Sequence, residues 1–352
     1  MNCFNTILYF QKSIDMSFGN PVEGYFLITS DNLIFEVKGI VHPQDRIIAY
    51  LRYVSEDSAS KSNLHYRKLY DLNERYDYLN SRFPEYLWLS KVHGRVIQSV
   101  PKQKIASVLA PVEGLAQMKS NCGTLSRLEK ATVLLVERLV QMTGIAWSDI
   151  GITGSQLLGI STDRSDIDLV VYGSAASRKF YELLSENYGR IAGIKPYSGN
   201  LLNAHVRFRW SDLTQQEDIL NKIESKKVLQ GLFDKYEFFV RLVKHPEETD
   251  EFYGKMVYEM MGACDVRCRV EDDHDSIFTP CIYIVESHDC PDLRRLISFR
   301  GRFTEQVSVG MSVRARGRLE RVTDITTGDT FQQLVLGENS TDYLLPDIAF
   351  TD

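Results

Sequence analysis

Nowhere in the sequence do about 18 apolar residues run together, so no segment reads as a bilayer-spanning helix. The start, MNCFNTILYFQKS, lacks the charged-then-apolar order of a secretory signal. Both absences predict a cytoplasmic protein without a membrane partner. Cysteine is sparse: Cys3, Cys122, Cys264, Cys268, Cys281 and Cys290 are too scattered for a disulfide scaffold in 352 residues. They also make a poor zinc set, because Cys264 and Cys268 sit in strand-like sequence and a structural site usually has two tight chelating turns. An excess of positive charge is missing too. Lys plus Arg number 41 against 47 Asp plus Glu, a net charge of -6, so any nucleic-acid binding must come from a local basic face. No long tract is compositionally biased, and 43% hydrophobic with 25% charged residues describes an ordinary globular chain of about two or three domains.

The strongest chemical signal is IGITGSQLLGISTDRSDIDLVVYG, residues 150–173. A Gly154-Ser155 turn and a short apolar run precede Asp166-Ile167-Asp168, which opens the apolar strand 169–172. Alternation along a strand sends Asp166 and Asp168 to one face and Ile167 into the core. Two carboxylates about 6 to 7 Å apart can hold a divalent metal, and a Gly-Ser turn opening a helix can cradle phosphate on backbone N–H groups.

This arrangement resembles the nucleotidyltransferase superfamily that includes DNA polymerase beta and the CCA-adding enzymes. Its signature is a hydrophobic residue, Gly, Gly or Ser, then Asp-x-Asp after a short helix and turn. Gly154-Ser155 match the first element, and Asp166 and Asp168 the metal-binding pair. The resemblance implies Mg²⁺, or Mn²⁺, at Asp166 and Asp168, a nucleoside triphosphate as substrate, and a third carboxylate on a neighbouring strand. About 25 residues carry it. The plainer reading of the two aspartates, as solvated groups at a strand start, has against it the apolar Ile167 and the turn at the expected distance.

Residues 1–115 read as an α+β domain. Residues 25–29 and 33–37 flank a polar Ser30-Asp31-Asn32 turn as a hairpin. His42, Asp45, Arg46, Arg52, Tyr66, Arg67 and Lys68 could gather at a phosphate or RNA site, or be solvated turns and ion pairs. Residues 69–83 fit an amphipathic helix, 92–99 an extended segment, and 101–110 a short helix or crossover ended near Pro111.

Residues 116–258 contain the transferase-like part. Residues 125–143 form a long helix with Gly144 suited to its C-cap, and 175–186 another. Residues 204–210 read as the third strand, with His205, Arg207 and Arg209 alternating with Val206 and Phe208. No carboxylate falls there, which departs from the superfamily pattern. Arg241 and Lys244 are placed by position as cations for a triphosphate; pairing with nearby acids is the alternative.

Residues 259–352 turn to short strands with glycines near the turns, a small β-barrel or sandwich for which an oligonucleotide-binding (OB)-like barrel is plausible. Its arginines, Arg294 to Arg321, and Phe299 and Phe303 offer an RNA-binding face, while Arg314, Arg316 and Arg318 alternate with apolar residues as on any half-buried strand. The expected fold is therefore α+β and multidomain, a central polymerase-beta-like nucleotidyltransferase fold followed by the barrel.

Over most of its length the chain also resembles a family of archaeal predicted nucleotidyltransferases. The carrying segments are GYFLITSDNLIFEVKGIVHPQDRIIAYLRYV, ITGS with SDIDLVVYG, and DSIFTPCIYIV with ISFRGRF and VRARGRLERV. It implies the layout and an archaeal source more than any substrate. The expected activity is Mg²⁺-dependent transfer of a nucleoside monophosphate to an RNA, protein or small-molecule hydroxyl. The rival is a degenerate transferase domain that binds RNA or nucleotide without chemistry.

Overall fold

The computed structural model describes residues 21–55, 66–121 and 123–347; the polar start, Cys3 and Cys122 lie outside them. Within those residues no helix is long and apolar enough to cross a membrane. The architecture is α+β, with three sheets that follow one another along the chain.

The first sheet comprises β1 (Phe26–Thr29), β2 (Leu33–Val37), β3 (Arg46–Ser55), β4 (Tyr66–Lys68), β5 (Leu87–Ser90), β6 (Arg95–Pro101) and β7 (Ile105–Leu109), with helix α1 (Leu72–Arg82) before β5. Its order is β5-β6-β3-β2-β1-β7, and β4 pairs with β3. The β1–β2 hairpin turns where its polar residues predict, with Asn32 in the left-handed region at φ 57. Residues 105–109 are a strand rather than the helix or crossover expected there. Ile105 and Val108 suit a pleated edge, and β1 supplies the antiparallel partner. Pro111 starts a helix instead of ending one, because its missing N–H is no loss in a first turn.

Helix α2 (Pro111–Ser120) and the long α3 (Arg127–Thr143) lead into the second sheet. In α3, Ser126 and Glu129 form a capping box and Gly144 takes the left-handed C-cap. The second sheet consists of β8 (Ile150–Ile152), β9 (Ile167–Tyr172), β10 (Ile194–Lys195), β11 (Gln230–Phe233) and β12 (Tyr236–Val243), ordered β10-β11-β12-β9-β8. Helix α4 (Gly154–Leu157) joins β8 to β9, and α5 (Ser174–Asn187) follows β9. Ile167, Leu169 and Val171 enter one core with Phe238, Val240 and Leu242 of β12.

Residues 204–209 are helical, within α6 (Gly199–Arg209), and Trp210 caps it, which corrects the third-strand expectation for 204–210. Val206 and Trp210 are spaced one turn apart and both buried, whereas Phe208, which a strand would have to bury, is 81% exposed. The strand that lies parallel beside β9 is β12, with Asp168 opposite Phe239 and Val170 opposite Arg241. Helices α6 and α7 (Glu217–Glu224) send Val206, Trp210, Leu220 and Ile223 into the core of the third sheet.

That sheet holds β13 (Met256–Asp272), β14 (Cys281–Glu286), β15 (Leu293–Ser298), β16 (Ser312–Asp324), β17 (Thr330–Val335) and β18 (Tyr343–Pro346). Pairing passes from β13 through β14, β15, β17 and β16 back to β13, a ring in which only β15 and β17 run parallel. Strand β18 pairs with Val313 to Arg316 of β16 and sends Leu344 and Leu345 into the same core.

Candidate active site

The Gly154-Ser155 turn and the aspartates meet at the ends of β8 and β9. The Thr153 N–H donates to the Asp168 carbonyl at 2.9 Å, which holds the turn beside the strand. Gly154 then takes φ +64, and a methyl carbon added there would lie 2.2 Å from Asp168 Oδ2. Only glycine fits, for both reasons. The N–H groups of Gly154 and Ser155 belong to the first turn of α4, where no intrahelical acceptor exists. Thr153 Oγ1 donates to the Gly24 carbonyl at 2.7 Å and so fastens the turn to the first sheet.

Asp166 is exposed just ahead of β9, and Asp168 is half-buried. Burial and then the charge of Asp166 push the Asp168 carboxyl up to about 7, against the pull of Arg241 and Lys68. A nearby cation would favour the charged form of such a carboxyl. Of the basic cluster of the first sheet, Lys68 acts on Asp168, while Arg52 pairs with Glu36 at 3.1 Å. His42 does neither: its Nε2 lies 2.8 Å from the Pro21 carbonyl, its Nδ1 accepts from the Ile48 N–H, and burial holds it near 4, a structural role.

Arg241 and Lys244, paired in the sequence reading, part in the fold. Arg241 reaches the Asp168 face but is engaged there, donating to Glu23 Oε1 at 2.5 Å and Glu36 Oε1 at 3.0 Å. Its guanidinium is held charged, above its ordinary range, by Glu23, Glu36 and Asp168 acting against burial. Lys244 turns to Asp275 at 2.6 Å and to the ring of Phe278. Glu23 and Glu36 are the residues that sequence reasoning missed. A lone glutamate in an apolar strand such as LIFEV was the available signal.

The third carboxylate of a two-metal site is not supplied by the described residues, in which no three His, Cys, Asp or Glu side chains form a metal-holding group. Strand β12 offers Glu237 at its start, but Glu237 accepts from the Tyr197 hydroxyl at 2.7 Å and faces His205. Cys264, Cys268, Cys281 and Cys290 are free thiols, and among the described residues none joins a metal-holding group.

The arginines of β16 are matched by acids: Arg316 with Asp265, Arg318 with Glu320, and Arg321 with Glu259. Phe303, expected as a stacking surface, is fully buried against Trp210 and cannot meet a base. Phe299 is 42% exposed.

No family model matches the sequence, and no solved structure matches it. Over 322 residues, covering 89% of this chain and 94% of the relative, the sequence is 26% identical to uncharacterized protein MJ1086 of Methanocaldococcus jannaschii. The similarity is to a protein described as uncharacterized, and it runs through all three sheets.

Proposed function

We propose that the chain is a Mg²⁺-dependent nucleotidyltransferase, built on a polymerase-beta-like fold with an OB-like ring at its C-terminal side. The observation that carries the reading is Gly154 pressed against the Asp168 carboxylate, which puts a side-chain-free turn and a carboxylate pair at one point. The space that a Cβ would fill, and two acids that form no ion pair among the described residues, fit one divalent ion shared with phosphate oxygens. They do not fit a second ion held by protein alone. The OB-like description of the ring rests on its strand order and on its one parallel pair, β15 with β17.

Asp166 and Asp168 would hold the ion, which when bound supplies Lewis acidity at the phosphoryl oxygens and a lowered pKa for the attacking hydroxyl. Asp168 gives up its proton as it takes on that role. Gly154 and Ser155 orient phosphate oxygens through their N–H groups. Lys68 and Arg241 add positive potential from the flanking sheet and strand. The hydroxyl oxygen bonds to the α-phosphorus as its proton passes to solvent, the bond from that phosphorus to the bridging oxygen breaks, and pyrophosphate leaves.

A second reading, nucleotide binding without transfer, is favoured by Arg241, a committed cation on the strand where a third carboxylate would stand. Pyrophosphate release with each nucleoside triphosphate, Mg²⁺ or Mn²⁺ and candidate acceptors separates the two. Asp168→Asn should lower release by about a thousandfold or more with the circular dichroism spectrum unchanged. Full activity in that variant removes the assignment.

A further inference from the structure

A cavity of about 520 Å³, separate from the Gly154 and Asp168 turn, opens between the first and third sheets, large enough for a nucleotide-sized molecule. Tyr50 of β3 and Tyr258 of β13 are among its walls, so the first and third sheets line it, with Lys244 reaching it from the segment just after β12. Most charges on the wall have partners. Arg95 meets Glu338 at 2.8 Å, Arg318 meets Glu320 at 2.6 Å, and Lys244 meets Asp275 at 2.6 Å.

Two arginines differ. Arg295 and Arg300 line the same cavity, both are half-buried, and neither forms an ion pair among the described residues. Arg295 spends its Nε on the neutral Gln333 Oε1 at 2.8 Å, and Arg300 spends its Nε on the Gly337 carbonyl at 3.2 Å. Gly337 makes that lie possible, since a Cβ there would come 2.8 Å from Arg300 Cγ. Both Nε atoms are thus pinned while the terminal nitrogens have no carboxylate, the arrangement that suits a bidentate oxyanion. A guanidinium removed from water without a counter-ion is costly, which makes an arriving anion the natural complement.

The remaining wall is flat and aromatic. His93 stacks on Tyr258 with centroids 5.4 Å apart and planes 15° from parallel. Burial and then the charge of Arg95 hold that imidazole near 4, so it is neutral and presents a ring rather than a charge. Phe299, partly exposed, stands directly before Arg300 on the same wall.

We propose that this cavity binds a ring-bearing organic phosphate, with Arg295 and Arg300 on the phosphate group and the His93 and Tyr258 stack with Phe299 against the ring. Lys38 on the wall donates to Glu36 Oε1 at 2.9 Å, and Glu36 in turn accepts from Arg241 beside Asp168. On the nucleotidyl-transfer reading, which this last step alone requires, the cavity seats the acceptor.

The test is equilibrium dialysis of the full chain, in EDTA, against each of the four ribonucleoside 5′-monophosphates, with inorganic phosphate as the ring-free control. At least one monophosphate should bind one per chain, about tenfold or more tighter than phosphate. Arg295→Gln with Arg300→Gln should weaken it by about thirtyfold, Phe299→Ala by about threefold to tenfold, and Asp168→Asn not at all. Phe299→Ala removes a partly exposed side chain and so guards against loss of fold in the double variant. The proposal fails if no monophosphate binds below about 1 mM, if both sets of variants bind normally, or if Asp168→Asn alone abolishes binding. Chelation excludes the Asp166 and Asp168 site from the measurement. Monophosphate binding without pyrophosphate release would therefore keep this site and sink the transferase, and release without such binding would do the reverse.

Discussion

Two acidic pairs lie on either side of Arg241 and are treated in opposite ways. Glu23 and Glu36 are both buried, and each is met by cations: Lys38 and Arg241 touch both, and Arg52 lies 3.1 Å from Glu36. Against the cost of burial, Lys38, Arg52 and Arg241 hold the Glu36 carboxyl well below the ordinary range. Among the described residues Asp166 and Asp168 form no ion pair, and burial with the charge of Asp166 outweighs Arg241 and Lys68, so Asp168 rises to about 7. The first pair is complete within the protein and serves to join the first sheet to the second. The second pair is left short of positive charge at an accessible edge, which is where a ligand cation has work to do.

The comparison is broken most severely at Arg241. Arg241→Met removes one counter-ion from both glutamates, and it should cost about 3 to 5 kcal/mol in urea denaturation, because breaking a buried pair leaves an uncompensated charge. A loss below about 1 kcal/mol would mean that Lys38 and Arg52 suffice. Next is Gly154→Ala, which combines a left-handed backbone with a methyl group inside the Asp168 carboxylate's space; about 1 to 3 kcal/mol of destabilisation and weakened Mn²⁺ binding should be read by thermal unfolding and titration.

The acid range sharpens the contrast. A carboxyl raised in the folded state contributes stability that is full below its unfolded pKa and is lost as pH climbs through the folded value, here about 7. Wild type should therefore lose about 1 to 2 kcal/mol relative to Asp168→Asn between about pH 4 and pH 8 in EDTA, a figure reduced for screening at a half-buried group. Glu305, also pushed up to about 7 by burial, is common to both proteins and cancels in the difference. Added Mg²⁺ at high pH should restore wild type alone. The smallest effect belongs to the exposed ring face, where Arg316→Ala should change stability by less than about 0.5 kcal/mol and pair loss should vanish in salt.

Local signals were legible in the sequence because their causes are local. The β1–β2 hairpin, the capped α3 and the Asp166-Ile167-Asp168 alternation each depend on residues a few places apart. The run of short strands after residue 259 was legible from alternation and glycine turns, but its first strand, β13, begins earlier, at Met256, because β16 pairs with it from Met256 to Arg269. What stayed hidden is non-local. Residues 204–210 alternate in polarity like a strand, yet the core that Val206 and Trp210 enter is built from residues after Val266. The neighbour of β9 could not be named without knowing that about 65 residues of helix and hairpin intervene before β12. Glu36 looks like an ordinary strand residue until Arg241 arrives from 205 positions away.

Strand β12 touches everything. Its inner face supplies Phe238, Val240 and Leu242 to one core, while on the other face Phe239 lies where a Cβ on Gly301 would collide with it at 2.4 Å and Arg241 grips Glu23 and Glu36. Eight residues are thereby a common axle for three sheets. A fragment cut at the sheet borders would carry an orphaned guanidinium at Arg241 and an uncovered ring at Phe239, so separated parts should be less stable than the joined chain.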